Sequence, residues 1–183
     1  MTWNTTAIRA LDEVEGAHLA VRGSGRASRC AAEQINYAYV ILLAGNFQRF
    51  CRDLHSEAID HIVPAVASPS LQHILRVNLS RDKKLEAQNA QSGSIGADFG
   101  RFGLKFWDAV DLRDRRNKER RKSLDELNQW RNAIAHQDFK SVLAAKLRVR
   151  QVRNWRSVCS SLARSFDAVM GDHLASVVGK APW

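Results

Sequence analysis

At 183 residues, the chain is long enough for one globular domain with a sizeable core and short for two. Hydrophobic residues make up 45% of it and charged residues 26%, a composition that argues against intrinsic disorder. The formal net charge of +9 favours a polyanionic partner such as nucleic acid. A basic face that only meets solvent has the same charge, so composition leaves both interpretations open.

The same composition bears on compartment and cofactors. No apolar run approaches the roughly 20 residues needed to cross a bilayer, and the first residues lack the layout of a signal peptide. Cys30, Cys51 and Cys159 are odd in number and widely spaced, which suits reduced core thiols better than disulfides or a zinc site. We therefore expect a cytoplasmic protein with no membrane contact, no metal and no other cofactor.

Apolar spacing predicts two helices before Pro64. Alternating strand patterns are hard to find, so the fold class is expected to be all-α. An amphipathic helix is predicted over residues 6–20, followed by a glycine connector at 23–25. A long helix is predicted over about 28–62, and Pro64 ends it. His55 is expected at the surface or rim of that helix.

The middle of the chain is less regular. Ser68 and Pro69 predict the start of a third helix that fades after about Gln88. Residues 91–103 hold four of the ten glycines and are expected to be the least regular segment. Aromatic residues follow one another closely here and either stack on bases or fill a gap between helices. We expect core packing for these side chains, which are Phe99, Phe102, Phe106 and Trp107.

Residues 113–122 form a dense basic run with two open interpretations. One is a solvated loop or frayed helix. The other is a substrate-binding clamp for RNA phosphates, made by Arg113, Arg115, Arg116, Arg120, Arg121 and Lys122. A last helix, predicted over roughly 149–178, carries further arginines on its outer side and extends this basic surface.

Directly after the basic run, Ser123-Leu124-Asp125-Glu126 has the pattern of a capping box. This pattern predicts a motif helix over about 124–136, preceded by a basic loop over 113–122. Leu124 and Leu127 lie on one helical stripe, and Arg131 falls on the same stripe. A cation on a core-facing stripe requires a partner or a function.

Arg131 and His136 together suit the cleavage of a phosphodiester. Histidine exchanges a proton near neutral pH, as a base towards a 2′-hydroxyl or as an acid towards the leaving oxygen. Arginine stays charged and can hold the phosphate, while Asn132 can orient either partner or the ribose. Five residues turn an ideal helix by about 140° net, so one cleft holds both side chains only if the helix ends, tightens or bends.

The segment Arg131-Asn132-Ala133-Ile134-Ala135-His136 resembles the arginine-to-histidine motif of HEPN domains, in the form of the RiboL-PSP-HEPN branch. Residues 42–54 resemble the second helix of that branch, and residues 95–99 together with the region of Trp107 resemble its middle section. The resemblance implies one HEPN-like domain over 1–183. It also implies a bundle of about five helices, long in the second and last, that forms a homodimer with two motifs in one cleft.

The resemblance further implies a metal-independent endoribonuclease that leaves a cyclic phosphate and a 5′-hydroxyl. Such an enzyme acts as a toxin or in phage defence, with RNA as substrate and an antitoxin as a further protein partner. At the dimer interface, His136 is then the general acid/base, Arg131 binds the phosphate and Asn132 assists.

Two positions depart from the family pattern. Many members have glycine directly after the motif histidine, where this chain has Gln137. Many also have glutamate on the second helix where this chain has Gln48, and Asn46 is a candidate to take over its polar role. Both glutamine positions bear on whether the chain is catalytic.

Two further interpretations stay open at the level of sequence. One is a non-catalytic module that keeps the HEPN bundle and binds RNA or protein. The other is purely structural, with Arg131 satisfied by a helix C-terminus or a core carboxylate and His136 capping the end of its helix.

Overall fold

The fold is described from a computed structural model, which defines residues 5–21, 25–142 and 146–182. These residues form eight α-helices and no strand, which confirms the all-α fold class. Most of the predicted glycine connector at 23–25 lies outside them. Five helices are long: α1 (Thr5–Ala20), α2 (Arg26–Ile62), α3 (Pro69–Ser80), α7 (Asn117–His136) and α8 (Val149–Val178). Three are short: α4 (Lys84–Ala87), α5 (Ser92–Phe99) and α6 (Phe106–Arg113).

The core lies between α2 and α8, with α1, α6 and α7 packed against one or both of them. Phe166 of α8 meets Phe47 of α2 at a ring-centroid distance of 5.9 Å and Phe106 of α6 at 4.9 Å. Phe99 stacks on Phe106 at 4.5 Å. Core packing of the aromatic residues after α4 is therefore confirmed, with Trp107 partly buried at the edge of the cluster.

Residues 91–103 are more regular than the sequence predicts, because they contain α5. Asp125 of α7 stabilises the start of α5, since its carboxylate accepts from the amide and the hydroxyl of Ser92 at 2.7 and 2.6 Å. Gly96 allows Trp107 to lie close to this helix. A Cβ at that position would lie 2.9 Å from Cδ1 of Trp107. Gly96, one of the glycines that led to the prediction of an irregular segment, thus permits close contact between α5 and Trp107.

The predicted start of the motif helix is wrong. α7 begins at Asn117, so the predicted loop over 113–122 is helical from that residue onward. Residues 118–122 are lysine, glutamate and arginine, all of which favour helix. Buried Asn117 fixes the first turn by donating to the carbonyl oxygen of Val110 at 2.7 Å.

Glu126 explains why the capping-box pattern misleads. Instead of bonding back to a helix start, its carboxylate accepts from Nε2 of Gln151 at 2.9 Å and from Nε1 of Trp155 at 3.3 Å. Both partners lie on α8. The glutamate therefore joins α7 to α8 across the bundle, which a local pattern does not reveal.

The structure also differs from the sequence-based predictions at α3 and at Cys30. α3 ends at Ser80 rather than near Gln88, and Asp82 follows it with a left-handed φ of 52°. The apolar side of α3 is half exposed, with Leu71 and Ile74 at 55% and 54%. Cys30 is exposed, whereas the two other cysteines are buried as expected.

The predicted basic surface of α8 is partly neutralised by α1. Arg153 pairs with Glu15 at 2.7 Å, and Arg156 pairs with Asp12 at 2.7 Å. None of the helices within the described ranges combines the length and apolar composition needed to cross a membrane.

His55 is fully buried, which corrects the expected rim position. Its Nε2 lies 3.3 Å from the carbonyl oxygen of Asp98, and its ring packs on Phe99 and Phe102 at centroid distances of 5.5 and 4.9 Å. Burial, helped by the nearby charge of Lys83, lowers the pKa of His55 from 6.5 to about 4.

This burial predicts a specific loss of stability in acid. Below pH 6.5 the unfolded chain protonates His55 while the folded chain does not, so the free energy of unfolding falls as pH drops from 6.5 to about 4. The fall attributable to this group is on the order of 3 kcal/mol. Urea unfolding at pH 7 and pH 5 should show a smaller loss for His55→Phe than for the wild type. Equal losses in both proteins would contradict the assignment.

Candidate functional site

The motif lies on an unbroken helix. α7 is continuous from Asn117 to His136, and the left-handed residue that ends it, Gln137, comes only after the motif. Arg131 and His136 therefore lie about 140° apart around the helix. Arg131 is partly buried and His136 is exposed at the C-terminal end. Within one chain the two side chains do not converge on a single cleft.

Arg131 carries a charge that the fold leaves uncompensated. Its Nη1 donates to Oδ1 of Asn132 at 3.2 Å. It makes no ion pair with any carboxylate in the described part of the chain, in contrast to Arg120 on the same helix, which pairs with Asp114. A partly buried cation without an anion is costly, so its position favours an anionic ligand.

Asn132 links the motif to the connection between α4 and α5. Its Oδ1 also accepts from Nδ2 of Asn89 at 2.6 Å. Gln48 of α2 braces the same connection, because its Nε2 donates to the carbonyl oxygens of Leu85 and Gln88, both at 2.9 Å. Gln48 thus supports the motif indirectly, through the segment that presents Asn89.

Asn46, the other candidate for a supporting role, has no such link. Its Nδ2 is buried and has no hydrogen-bond partner among the described residues. Gln48 is therefore bonded to the segment before α5, whereas Asn46 has no such bond among the described residues.

The helix exit keeps the conformation that glycine favours, although the residue is Gln137. Its φ is 53°, in the left-handed region. The amide of Gln137 donates to the carbonyl oxygen of Ile134 at 3.3 Å, and that of Asp138 to Ala133 at 3.0 Å, which is a Schellman motif. Backbone amides therefore satisfy these two carbonyl oxygens, and His136 makes no hydrogen bond to them.

The predicted substrate-binding residues do not lie beside the motif. Arg113, Arg116 and Arg120 line a pocket of about 260 Å³ between α6, α7 and α8. Asp114 lies in its wall and accepts from Arg116 at 2.9 Å and from Arg120 at 2.7 Å. These bonds hold the pKa of Asp114 well below its usual range. Along α7, Arg120 lies roughly 24 Å from His136.

The remaining cations of the basic run have separate environments. Arg121 lies over the ring of Trp107 at 5.2 Å, and Lys122 pairs with Glu119 at 2.8 Å. Arg115 is exposed and has no ion pair among the described residues. Arg164 of α8 joins the pocket and was not predicted as a site residue. The sequence does place Arg164 among the arginines expected to extend the basic surface, but only the structure shows that it meets Arg113 and Arg120 at one pocket.

A second pocket, of about 330 Å³, adjoins the motif directly, since Asn132 lines it. Asp125, Asn128 and Gln129 of α7 line it too, and none was predicted as a site residue. Their spacing of three, one and three residues places them on one face of a helix, and this pattern could have indicated the pocket from sequence. No group of three His, Cys, Asp or Glu side chains arranged to hold a metal occurs in the described ranges.

Comparison with known proteins agrees with this architecture. The sequence model of the RiboL-PSP-HEPN family matches residues 24–172, which span α2 to most of α8 and include the whole motif. α1 precedes the matched region. Comparisons with curated proteins and with solved structures give no match.

The role of Gln48 predicts that the family's glutamate does not fit here. In Gln48→Glu, a carboxylate faces the carbonyl oxygens of Leu85 and Gln88 and cannot donate to them. We expect a loss of about 1–3 kcal/mol in the free energy of unfolding, measured in urea. Gln34→Glu on the exposed side of α2 is the matched control and should change stability by less than about 0.5 kcal/mol. Equal stability of the two variants would contradict the bracing role.

The conformation of Gln137 predicts a gain in stability. Gln137→Gly relieves the steric cost of a Cβ at positive φ and should add about 1 kcal/mol to the free energy of unfolding. Gln137→Ala keeps the Cβ and should give no comparable gain. Chemical denaturation of the three proteins compares them, and identical values for the glycine and alanine variants would be inconsistent with a left-handed exit.

Proposed function

The chain is a member of the RiboL-PSP-HEPN family, and we propose that it is an endoribonuclease that cuts RNA with Arg131 and His136. The observation that carries the proposal is the uncompensated charge of Arg131. Its guanidinium is held by Asn132 and has no carboxylate partner among the described residues. A phosphate diester is an anion that guanidinium groups bind well through paired hydrogen bonds.

The proposed chemistry needs one proton carrier and one phosphate binder. His136 removes the proton of a ribose 2′-hydroxyl, and that oxygen attacks the adjacent phosphorus. The bond from phosphorus to the 5′-oxygen breaks, and a proton returns to that oxygen. The products are a 2′,3′-cyclic phosphate and a 5′-hydroxyl. Arg131 stabilises the charge that builds on the phosphate, and Asn132 orients the guanidinium.

A two-fold homodimer brings the two groups together. Because α7 is helical through His136, Arg131 and His136 of one copy point in different directions around it. Across a two-fold axis, Arg131 of one copy can face the histidine of the other, and the same pairing repeats by symmetry. The proposed active site is therefore shared between two copies of α7.

The distant basic pocket gives a second contact with the same substrate. Four arginines, Arg113, Arg116, Arg120 and Arg164, line it, and two carboxylates oppose them, because Asp114 pairs with Arg116 and Arg120 and Asp172 pairs with Arg113 at 2.8 Å. The excess of cations suits a backbone phosphate. The pocket lies roughly 24 Å along α7 from His136, so a bound RNA strand extends several nucleotides from the cut. Neutral salt should weaken RNA binding through this pocket.

We place this activity in the cytoplasm, as a toxin or phage-defence effector that an antitoxin protein restrains. Cleavage of cellular RNA at a metal-free site would stop growth unless a partner covers the cut site. The high positive charge of the chain suits an acidic neutralising protein as well as RNA.

The proposal is tested by RNA cleavage with purified protein in excess chelator. The wild type should cleave and leave cyclic-phosphate ends. His136→Ala should lower the rate by about 10²–10⁴-fold and Arg131→Ala by about 10²–10³-fold. His73→Ala on α3 and Arg26→Ala at the start of α2 are exposed controls and should cleave as the wild type does.

Each other outcome has a definite meaning. Equal cleavage by the wild type and both motif variants would exclude the proposed site. Salt-dependent RNA binding without cleavage, unchanged by His136→Ala, would instead support a non-catalytic RNA-binding module.

A further inference from the structure

The pocket beside the motif is lined by amide and carboxylate groups. On α7, Asp125, Asn128, Gln129 and Asn132 occupy one face and line it, opposite the segment 91–93 at the start of α5. Its volume of about 330 Å³ is at the lower end for a small-ligand site. Asn132 belongs both to this pocket and to the motif, so the two are neighbours.

The amide of Asn128 has a fixed orientation. Its Nδ2 donates to the carbonyl oxygens of Ala90 and Leu124 at 3.0 and 2.9 Å. Because carbonyl oxygens only accept, the nitrogen must face them, and Oδ1 is left as an acceptor. Asn128 is 4% exposed, so its side chain is held by the core and cannot turn away.

The amide of Asn132 also has a fixed orientation, but here the oxygen is bonded and the nitrogen is left. Its Oδ1 accepts from Asn89 at 2.6 Å and from Arg131 at 3.2 Å. Because a guanidinium only donates, the oxygen must face Arg131, and Nδ2 is left as a donor. Two residues of the pocket lining, four apart on α7, thus keep one acceptor, Asn128 Oδ1, and one donor, Asn132 Nδ2, in fixed orientations.

Asp125 adds further acceptors. One oxygen accepts from the amide of Ser92 at 2.7 Å and the other from its hydroxyl at 2.6 Å. Each carboxylate oxygen can accept a second bond. Asp125 is also the only charged side chain in the lining, and its negative charge disfavours a phosphate in this pocket.

We propose that this pocket binds the base of an RNA nucleotide next to the cut, and that it selects a base with an exocyclic amino group over uracil. The exocyclic amino group of adenine, cytosine or guanine has two hydrogens, so it can donate to both Asn128 Oδ1 and Asp125, while another atom of the same base edge accepts from Asn132 Nδ2. Uracil has a single N–H between two carbonyl oxygens, so it can satisfy only one of these two acceptors.

The position of the base relative to the cut rests on the proposed function. Arg131 binds the phosphate and is bonded to Asn132, which lines the base pocket. A base in the pocket and a phosphate at Arg131 are therefore adjacent on one RNA strand. Unpaired nucleotides suit this arrangement, because the base must leave its stack to enter.

Gly93 offers a steric test that spares the fold. A Cβ at Gly93 or at Gly100, at opposite ends of α5, meets no protein atom within 4 Å. Gly93 lines the pocket and Gly100 does not. Gly93→Leu should therefore obstruct the pocket, and Gly100→Leu is the matched control.

Sequencing of the ends produced from a random RNA pool measures the preference. The wild type and Gly100→Leu should favour an amino-bearing base beside the cut by about tenfold over uracil, and Gly93→Leu should lose this preference. Asp125→Asn replaces an acceptor with a donor and should admit uracil. Cleavage without base preference, or a preference unchanged in Gly93→Leu, would overturn the base pocket and leave the ribonuclease proposal intact.

Binding separates this proposal from catalysis. His136→Ala protein is mixed with short labelled oligoadenylate, oligocytidylate and oligouridylate, and fluorescence anisotropy measures affinity. We expect the first two to bind about tenfold tighter than the third, and Gly93→Leu in the same background to remove the difference. This result would support the pocket even if the wild type did not cleave RNA. Equal affinities for all three would contradict it.

Discussion

The continuity of α7 from Asn117 to His136 is the constraint on which the rest of the site depends. One continuous helix fixes where each kind of side chain lies. Its first turn carries Arg120 of the basic pocket, its middle carries the polar face of the second pocket, and its end carries the motif. The same continuity separates Arg131 from His136 by about 140°. A site that uses both therefore requires a second copy of the helix.

Polar contacts hold α7 in the bundle at fixed points. Asn117 bonds to the end of α6, and Glu126 bonds to two residues of α8. Asn128 and Asn132 bond to Ala90 and Asn89 in the connection before α5. Each of these bonds satisfies a group that would otherwise be costly to bury. Together they set the side-chain orientations that leave Arg131 uncompensated and make the neighbouring pocket chemically specific.

Sequence patterns predict the parts of this protein that depend on periodicity. The bounds of α2 and α8 and the packing of Phe99 and Phe106 follow from apolar spacing over many residues. Features set by contacts between distant segments are missed. Glu126 fits a local capping pattern, yet its partners lie on α8. His55 shows no apolar signal of its own, yet the carbonyl of Asp98 and two phenylalanines enclose it.

Departures from a family pattern also need a structure to interpret. Gln137 stands where many members have glycine, yet it adopts the left-handed conformation that glycine favours. Gln48 differs from glutamate and has a different task, because it donates to two carbonyl oxygens that a carboxylate would repel. The basic run over 113–122 is a case in which neighbours in sequence have different structural environments. Its residues are contiguous in sequence, yet the structure divides them among a pocket, an aromatic stack and surface ion pairs.

Subunit mixing tests the shared active site most directly. Arg131→Ala and His136→Ala proteins are each purified, unfolded and refolded together, and mixed dimers are identified by native mass spectrometry. If each site takes its arginine from one copy and its histidine from the other, a mixed dimer contains one intact site. Such dimers should then recover about half of the wild-type cleavage rate, as one intact site of two by symmetry predicts. Mixed dimers that form and remain as inactive as either parent would contradict the account.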